Sequence, residues 1–131
     1  FEDLHEMHLY PCAYSMTFNV TGNKLNGILN QRSQDTLTAN NWNVVQYAVL
    51  LHMFAQVSGL EAGELVHVIS DAHIYDRHVP IVEEILKNPQ YPAPTFKMNK
   101  DIKNFYDFTV DDVELENYQY TKLDKKIEVA I

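Results

Sequence analysis

From Met16 to Val20 apolar and polar residues alternate, and the alternation resumes from Leu25 to Leu29, with Thr21-Gly22-Asn23-Lys24 between the two runs. A period of two marks half-buried strands, and a short glycine-containing break between two such runs predicts a hairpin. If Gly22-Asn23 is a two-residue loop of the mirror-image turn type, the glycine supplies the positive φ and Thr21 faces Lys24, which fixes every later pair. On one face these are Val20 with Leu25, Phe18 with Gly27, Met16 with Leu29, Tyr14 with Gln31 and Cys12 with Ser33. On the other face Ala13 meets Arg32. A bulge in so long a hairpin would shift the far pairs by one residue.

The next stretch, LTANNWNVVQYAVLLHMFAQVSG, is apolar nearly all round a helical wheel, with Asn40, Asn41 or Asn43 available as a cap and Gly59 placed to end it. Such a helix belongs at the centre of a fold. Residues 64–75, ELVHVISDAHIY, alternate again as a strand. Val66, Val68, Ser70, Ala72 and Ile74 share one side, and His67, Ile69, Asp71, His73 and Tyr75 the other. VPIVEEILK predicts a short amphipathic helix, and PQYPAP a proline-stiffened loop. TFKMN, YDFTV and VELENYQY read as short strands or extended segments. The ending LDKKIEVAI is apolar where a tail is usually polar, which predicts that it docks. The pattern describes an α+β chain, a mixed sheet around a long buried helix, with no repeat or interdomain linker.

Composition narrows the setting. A chain of 131 residues with 46% hydrophobic and 21% charged residues fits one globular domain spanning residues 1–131. Its net charge of −8 opposes charge-driven binding to nucleic acid or an anionic membrane, while leaving room for a local basic pocket. The longest apolar run, Val44 to Val57, is too short to span a bilayer. With one cysteine and no signal-like stretch, a reducing, cytoplasmic location is expected. Phe1 in place of an initiator methionine points to a piece of something longer.

Candidate chemistry centres on that cysteine. Cys12 becomes a useful nucleophile at neutral pH only where its anion is favoured, and Arg32 across the hairpin is the group able to favour it. The plainer alternative is a small buried hydrophobe. QRSQD, residues 31–35, gathers an amide, a guanidinium, a hydroxyl and a carboxylate. Arg32 with Ser33 makes a natural phosphate grip, against the alternative of a solvated strand end. Asn43 can cap the helix or offer a donor and an acceptor together to a planar ligand. His73 and Tyr75, two apart on a strand, point the same way and suit sugar hydroxyls. His67, His73 and His78 match no usual zinc spacing, so no metal is expected. The acidic run of Asp111, Asp112, Glu114 and Glu116 reads as a solvated face.

In order, PC at 11–12, QRSQD at 31–35, an asparagine opening the buried helix, DAHIY at 71–75 and VAI at 129–131 resemble the thymidylate synthase family, over a length corresponding to roughly its C-terminal half. The resemblance implies a truncated thymidylate synthase-type fold and a role in methylating dUMP to dTMP with 5,10-methylenetetrahydrofolate as cosubstrate. It implies that Cys12 is the nucleophile and that Gln31, Arg32, Ser33, Asp35, Asn43, His73 and Tyr75 form the dUMP site. Within that site Arg32 and Ser33 would take the phosphate, Asn43 the uracil edge, and His73 with Tyr75 the sugar hydroxyl. Asp35 and Ala130, in the tail Val129-Ala130-Ile131, would meet the folate. A homodimer through the central sheet is also implied.

Some positions depart from the family's pattern. Ala13 stands where a histidine commonly follows the cysteine, and Tyr10 replaces a proline. Ala39, Asn41 and Trp42 replace a glycine, a proline and a phenylalanine. The catalytic glutamate and several arginines of the family would come from its other half. Two other readings remain: a related dUMP hydroxymethylase, and a nucleotide-binding or dimerising half-domain without turnover. Asn43, rather than an aspartate, favours uracil over cytosine in any of them.

Overall fold

The computed structural model describes residues 3–128. Strands β1 (Ala13–Thr21) and β2 (Lys24–Gln31) form the expected antiparallel hairpin. Gly22 has φ +63°, the left-handed region required at the first central position of this turn. From Thr21↔Lys24 to Ser15↔Asn30 the pairing follows the sequence expectation. Beyond Ser15 it does not. Tyr14 is the extra residue of a bulge, Ala13 lies opposite Gln31 rather than Arg32, and the Arg32 amide donates to the Cys12 carbonyl at 2.9 Å. Cys12 therefore faces Arg32, not Ser33, because one unpaired residue on β1 moves everything beyond it by one place.

After a two-residue strand β3 (Gln34–Asp35), helix α1 (Asn40–Val57) carries the chain back so that β4 (Glu61–Ile69) pairs parallel with β2. Parallel neighbours need such a crossover, and an 18-residue helix supplies it. The sheet runs β1-β2-β4. The single strand expected over 64–75 is broken at Ser70-Asp71. Its continuation, β5 (Ala72–His73), pairs with β3 instead. The break mirrors the one between β2 and β3: Ser70 N donates to Gln31 O at 3.0 Å and Gln34 N to Asp71 O at 2.8 Å, so both chains step sideways together.

Alternation turns the odd positions of β2 toward α1. Leu25, Leu51 and Ala55 form a buried cluster, joined by Met16, Phe54, Leu60, Ala62 and Leu65, while Leu29 has no exposed surface at all. The same side of β4 carries His67 and Ile69. On the other side of the sheet Ile28, Val66 and Val68 are exposed. The far side of α1 is also bare within this chain, with Trp42 81% and Val45 55% exposed, so the helix expected to be central is buried along one face only.

None of the three asparagines caps α1. Ala39 holds the N-cap position without a side-chain bond, and the Asn43 side chain is engaged elsewhere. Gly59, at φ +69°, follows the helix as expected. VPIVEEILK gives α2 (Val79–Ile85), and β6 (Thr95–Met98) pairs antiparallel with β7 (Val113–Glu116). YDFTV forms no strand. Asn104 accepts the Tyr106 amide, and Thr109 and Asp112 make reciprocal capping bonds, so the stretch winds into two 3-10 turns.

Candidate functional site

The bulge at Tyr14 brings Cys12 to the end of β2, where Arg32 leaves the sheet. The thiol is free and partly exposed. The Arg32 guanidinium grips the segment before Cys12: Nη2 donates to Tyr10 O at 2.6 Å and Nε to Pro11 O at 3.3 Å. The guanidinium thus fixes the two carbonyls preceding the cysteine. A rigid fork can span two acceptors in this way, which a lysine ammonium on a flexible stem reproduces poorly.

Behind this end of the sheet sits Gln31, 1% exposed. Its orientation follows from its neighbours. Ser33 O lies 2.8 Å from Nε2 and, as a backbone carbonyl, can only accept, so the nitrogen end must point there. Nε2 also faces Gln34 Oε1 and, at 3.2 Å, Asn43 Oδ1. Oε1 consequently points at His67 Nε2, 2.9 Å away, which must carry the proton. Burial holds the His67 pKa below the ordinary histidine value, favouring the neutral ring. Gln31 therefore joins β2, α1 and β4, and it presents the Asn43 amide with its oxygen turned toward the sheet.

Asp35, on β3, is half-buried. Burial alone would raise its pKa, but the Thr38 hydroxyl, the amides of Thr38 and Leu37 and the nearby His78 outweigh that effect and hold it below the ordinary carboxylate value. Oδ1 accepts both amides at 3.1 Å. His73, at the end of β5, lies edge-on to Tyr75 with ring centroids 5.1 Å apart, although Tyr75 falls beyond the strand expected to carry both. Its Nδ1 is buried without a hydrogen bond among the described residues, 3.3 Å from Asp71 Oδ2.

The structure therefore gathers Gln31, Ser33 and Asn43 into one network, sets Arg32 against the Cys12 loop, and brings His73 edge-on to Tyr75. Ser33 enters the network through its carbonyl. Ala130 lies outside the described residues. Three polar residues carry more than the sequence reading gave them: Gln34 and His78, each 1% exposed, and His67. For His67 the signal was present in the alternation, which put it on the same side as His73. Among the described residues no group of three or more His, Cys, Asp and Glu side chains is arranged to hold a metal ion. No helix of the described residues is long and apolar enough to cross a membrane.

The chain is similar to known proteins in both sequence and fold. The family model described as thymidylate synthase matches residues 1–131. A thymidylate synthase of Bacillus licheniformis is 45% identical over 119 residues, 91% of this chain and 43% of that protein. One of Clostridium beijerinckii is 47% identical over 114 residues, 86% of this chain and 43% of that protein. The solved structure of a thermostable thymidylate synthase A from Bacillus subtilis superimposes with a TM-score of 0.89 at 39% identity, over 96% of this chain and 46% of that one. The chain spans less than half the length of each.

Proposed function

Since this chain belongs to the thymidylate synthase family, we propose that it supplies the nucleophile and most nucleotide-contacting side chains of an enzyme that reductively methylates dUMP to dTMP. The folate cosubstrate, 5,10-methylenetetrahydrofolate, provides the one-carbon unit and the hydride. Cys12 adds through its sulfur to carbon 6 of the uracil, which makes carbon 5 nucleophilic, and leaves again when the product is released. Arg32 holds the Cys12 loop through Tyr10 and Pro11 and, with Ser33, faces the phosphate. Asn43 offers its amide to the uracil edge, His73 and Tyr75 take the sugar hydroxyl, and the ionised Asp35 serves the pterin side.

The observation that carries this reading is the Gln31 network, which turns the Asn43 amide to one orientation at the same end of the sheet that holds Cys12. Asparagine can read a uracil or a cytosine edge by flipping; a fixed amide reads one. The test is the mass of the natural full-length protein after incubation with 5-fluoro-dUMP and methylenetetrahydrofolate. A covalent adduct on the peptide containing Cys12 is expected, and its absence, or an adduct elsewhere, removes Cys12 from the mechanism. The 131-residue chain on its own is expected to show negligible synthase activity; measurable dUMP turnover by it would overturn that expectation.

The working form we propose is a cytoplasmic homodimer through the sheet face that carries Ile28, Val66 and Val68, whose exposure supports it. The single free cysteine and the net charge of −8 support a reducing compartment and no nucleic-acid or membrane partner.

A further inference from the structure

We propose that His78 is a positioning residue that clamps residues 122–128 to the loop bearing His73 and Tyr75, so that a nucleotide on that pair and the docking of this segment reinforce one another. The coupling to nucleotide rests on the functional reading above; the clamp itself does not.

His78 closes the short turn Asp76–His78 and is 1% exposed. Its Nε2 lies 2.9 Å from the carbonyl oxygen of Glu128, 50 residues away. A carbonyl only accepts, so Nε2 carries the hydrogen. The other ring nitrogen, Nδ1, is buried with no partner among the described residues. A ring buried with one nitrogen unmet is held there by its other contacts. What holds it there is the segment it grips on one side and the aromatic pair on the other.

The link to that pair is short. The His78 amide donates to Tyr75 O at 2.8 Å, and the two rings meet edge-on with centroids 5.7 Å apart. Tyr75 in turn meets His73. Residues 75–78 thus form one turn, and a ligand that fixes Tyr75 also fixes the clamp. Otherwise residues 122–128 are held by Ile127, which shares an apolar hollow with Leu37, Ile74, Val82 and Leu86, and by the ion pair of Lys125 with Glu84. That pair is about half exposed and holds weakly. The part-buried polar contact at His78 is the one that transmits. Coupling of this kind is reciprocal: what tightens Tyr75 tightens the segment, and the reverse.

Hydrogen exchange followed by mass spectrometry on the natural full-length protein tests both halves. Without ligand, His78→Phe is expected to speed exchange in residues 122–128 roughly three- to tenfold, the effect of losing one net hydrogen bond. His78→Gln, which keeps an N–H at the same reach, restores most of the protection. At saturating dUMP the segment slows in the wild type and does not slow further in His78→Phe. Unchanged ligand-free exchange in His78→Phe overturns the clamp, and dUMP-dependent slowing that survives the substitution overturns the coupling. A wild type that fails to bind dUMP removes the nucleotide reading and the coupling with it, leaving the ligand-free arm to judge the clamp. Nitrogen-15 shifts of the wild-type ring give a measurement independent of any variant: a neutral His78 protonated on Nδ1 refutes the clamp.

Discussion

Replacing Gln31 by glutamate changes one NH2 group into an oxygen, at a position where every neighbour of that group is an acceptor. Ser33 O at 2.8 Å, Asn43 Oδ1 at 3.2 Å and Gln34 Oε1 all face the nitrogen now present. With the side chain 1% exposed, water cannot compensate. Gln34 can turn its amide to donate, and Asn43 is only partly buried, so the loss is smaller than three unmet acceptors would give; about 3 kcal/mol at neutral pH is expected, at roughly 1–3 kcal/mol for each buried group left unsatisfied. That corresponds to a fall in Tm of roughly 10 °C for a protein of this size class.

The sign with pH separates this cause from simple misfit. A carboxyl surrounded by acceptors and burial has a folded pKa above its unfolded one. Its protonated form is tolerated because it can donate one O–H, so the deficit is smallest below the unfolded value, about 4.3, and grows as pH rises toward the folded pKa. Gln31→Met, similar in size and uncharged, should show a deficit that does not grow with pH. Denaturant unfolding followed by circular dichroism at pH 5 and pH 8 measures both. A glutamate variant within about 0.5 kcal/mol of wild type at pH 8, the scatter typical of surface substitutions, would refute the orientation assigned to Gln31. So would an equal deficit at the two pH values.

Further outcomes follow from other contacts. The depressed pKa of Asp35 contributes stability that is present above its ordinary value and is lost as pH falls through the lower, folded value; Asp35→Asn should flatten that acid limb in unfolding titrations. His67 is likewise depressed by burial, so the wild type gains stability as pH rises from the folded value to the ordinary histidine value, and His67→Gln should remove that slope while keeping the bond to Gln31. A methyl group at Gly63 would fall 2.2 Å from Asn26 Oδ1, which accepts the Glu64 amide at 2.9 Å. Gly63→Ala should therefore cost about 1–3 kcal/mol in chemical unfolding. Size-exclusion with light scattering should find a dimer of the full-length protein, and Val68→Lys on the exposed sheet face should weaken it; a stable wild-type monomer would count against that interface.

The parts of this fold that could be read from sequence are those set by local chemistry. Gly22 in a tight turn and two runs of period two fixed the hairpin through Ser15, and Gly59 marked the end of α1. The bulge at Tyr14 was not readable, since one extra residue leaves the alternation intact on either side. The helix cap was misassigned for a different reason: an asparagine near a helix start suits a cap equally well as a tertiary contact, and Gln31 claims Asn43. YDFTV carries strand-like residues, but Asn104 and Thr109 offer the backbone nearer partners. At the candidate site, motif order singled out Cys12, Arg32 and Asn43, whereas the burial of Gln31, His67 and His78 depends on β4 lying beside β2 and on the chain folding back from residue 78 to residue 128. Such long-range pairings leave no local trace.

The bare far face of α1, with Trp42 and Val45 exposed, lies beside a sheet whose outer strands β1 and β4 have unpaired edges among the described residues. Surfaces of this kind favour complementation. A separately produced remainder, taken from a relative such as the Bacillus licheniformis protein, has a large apolar area and open strand edges on which to reassociate with this chain. On the functional reading proposed above, recovery of dTMP formation in cells that cannot make it would report that the two had met. An open sheet edge, on its own a template for unwanted pairing, would in that setting be the joint between the two pieces.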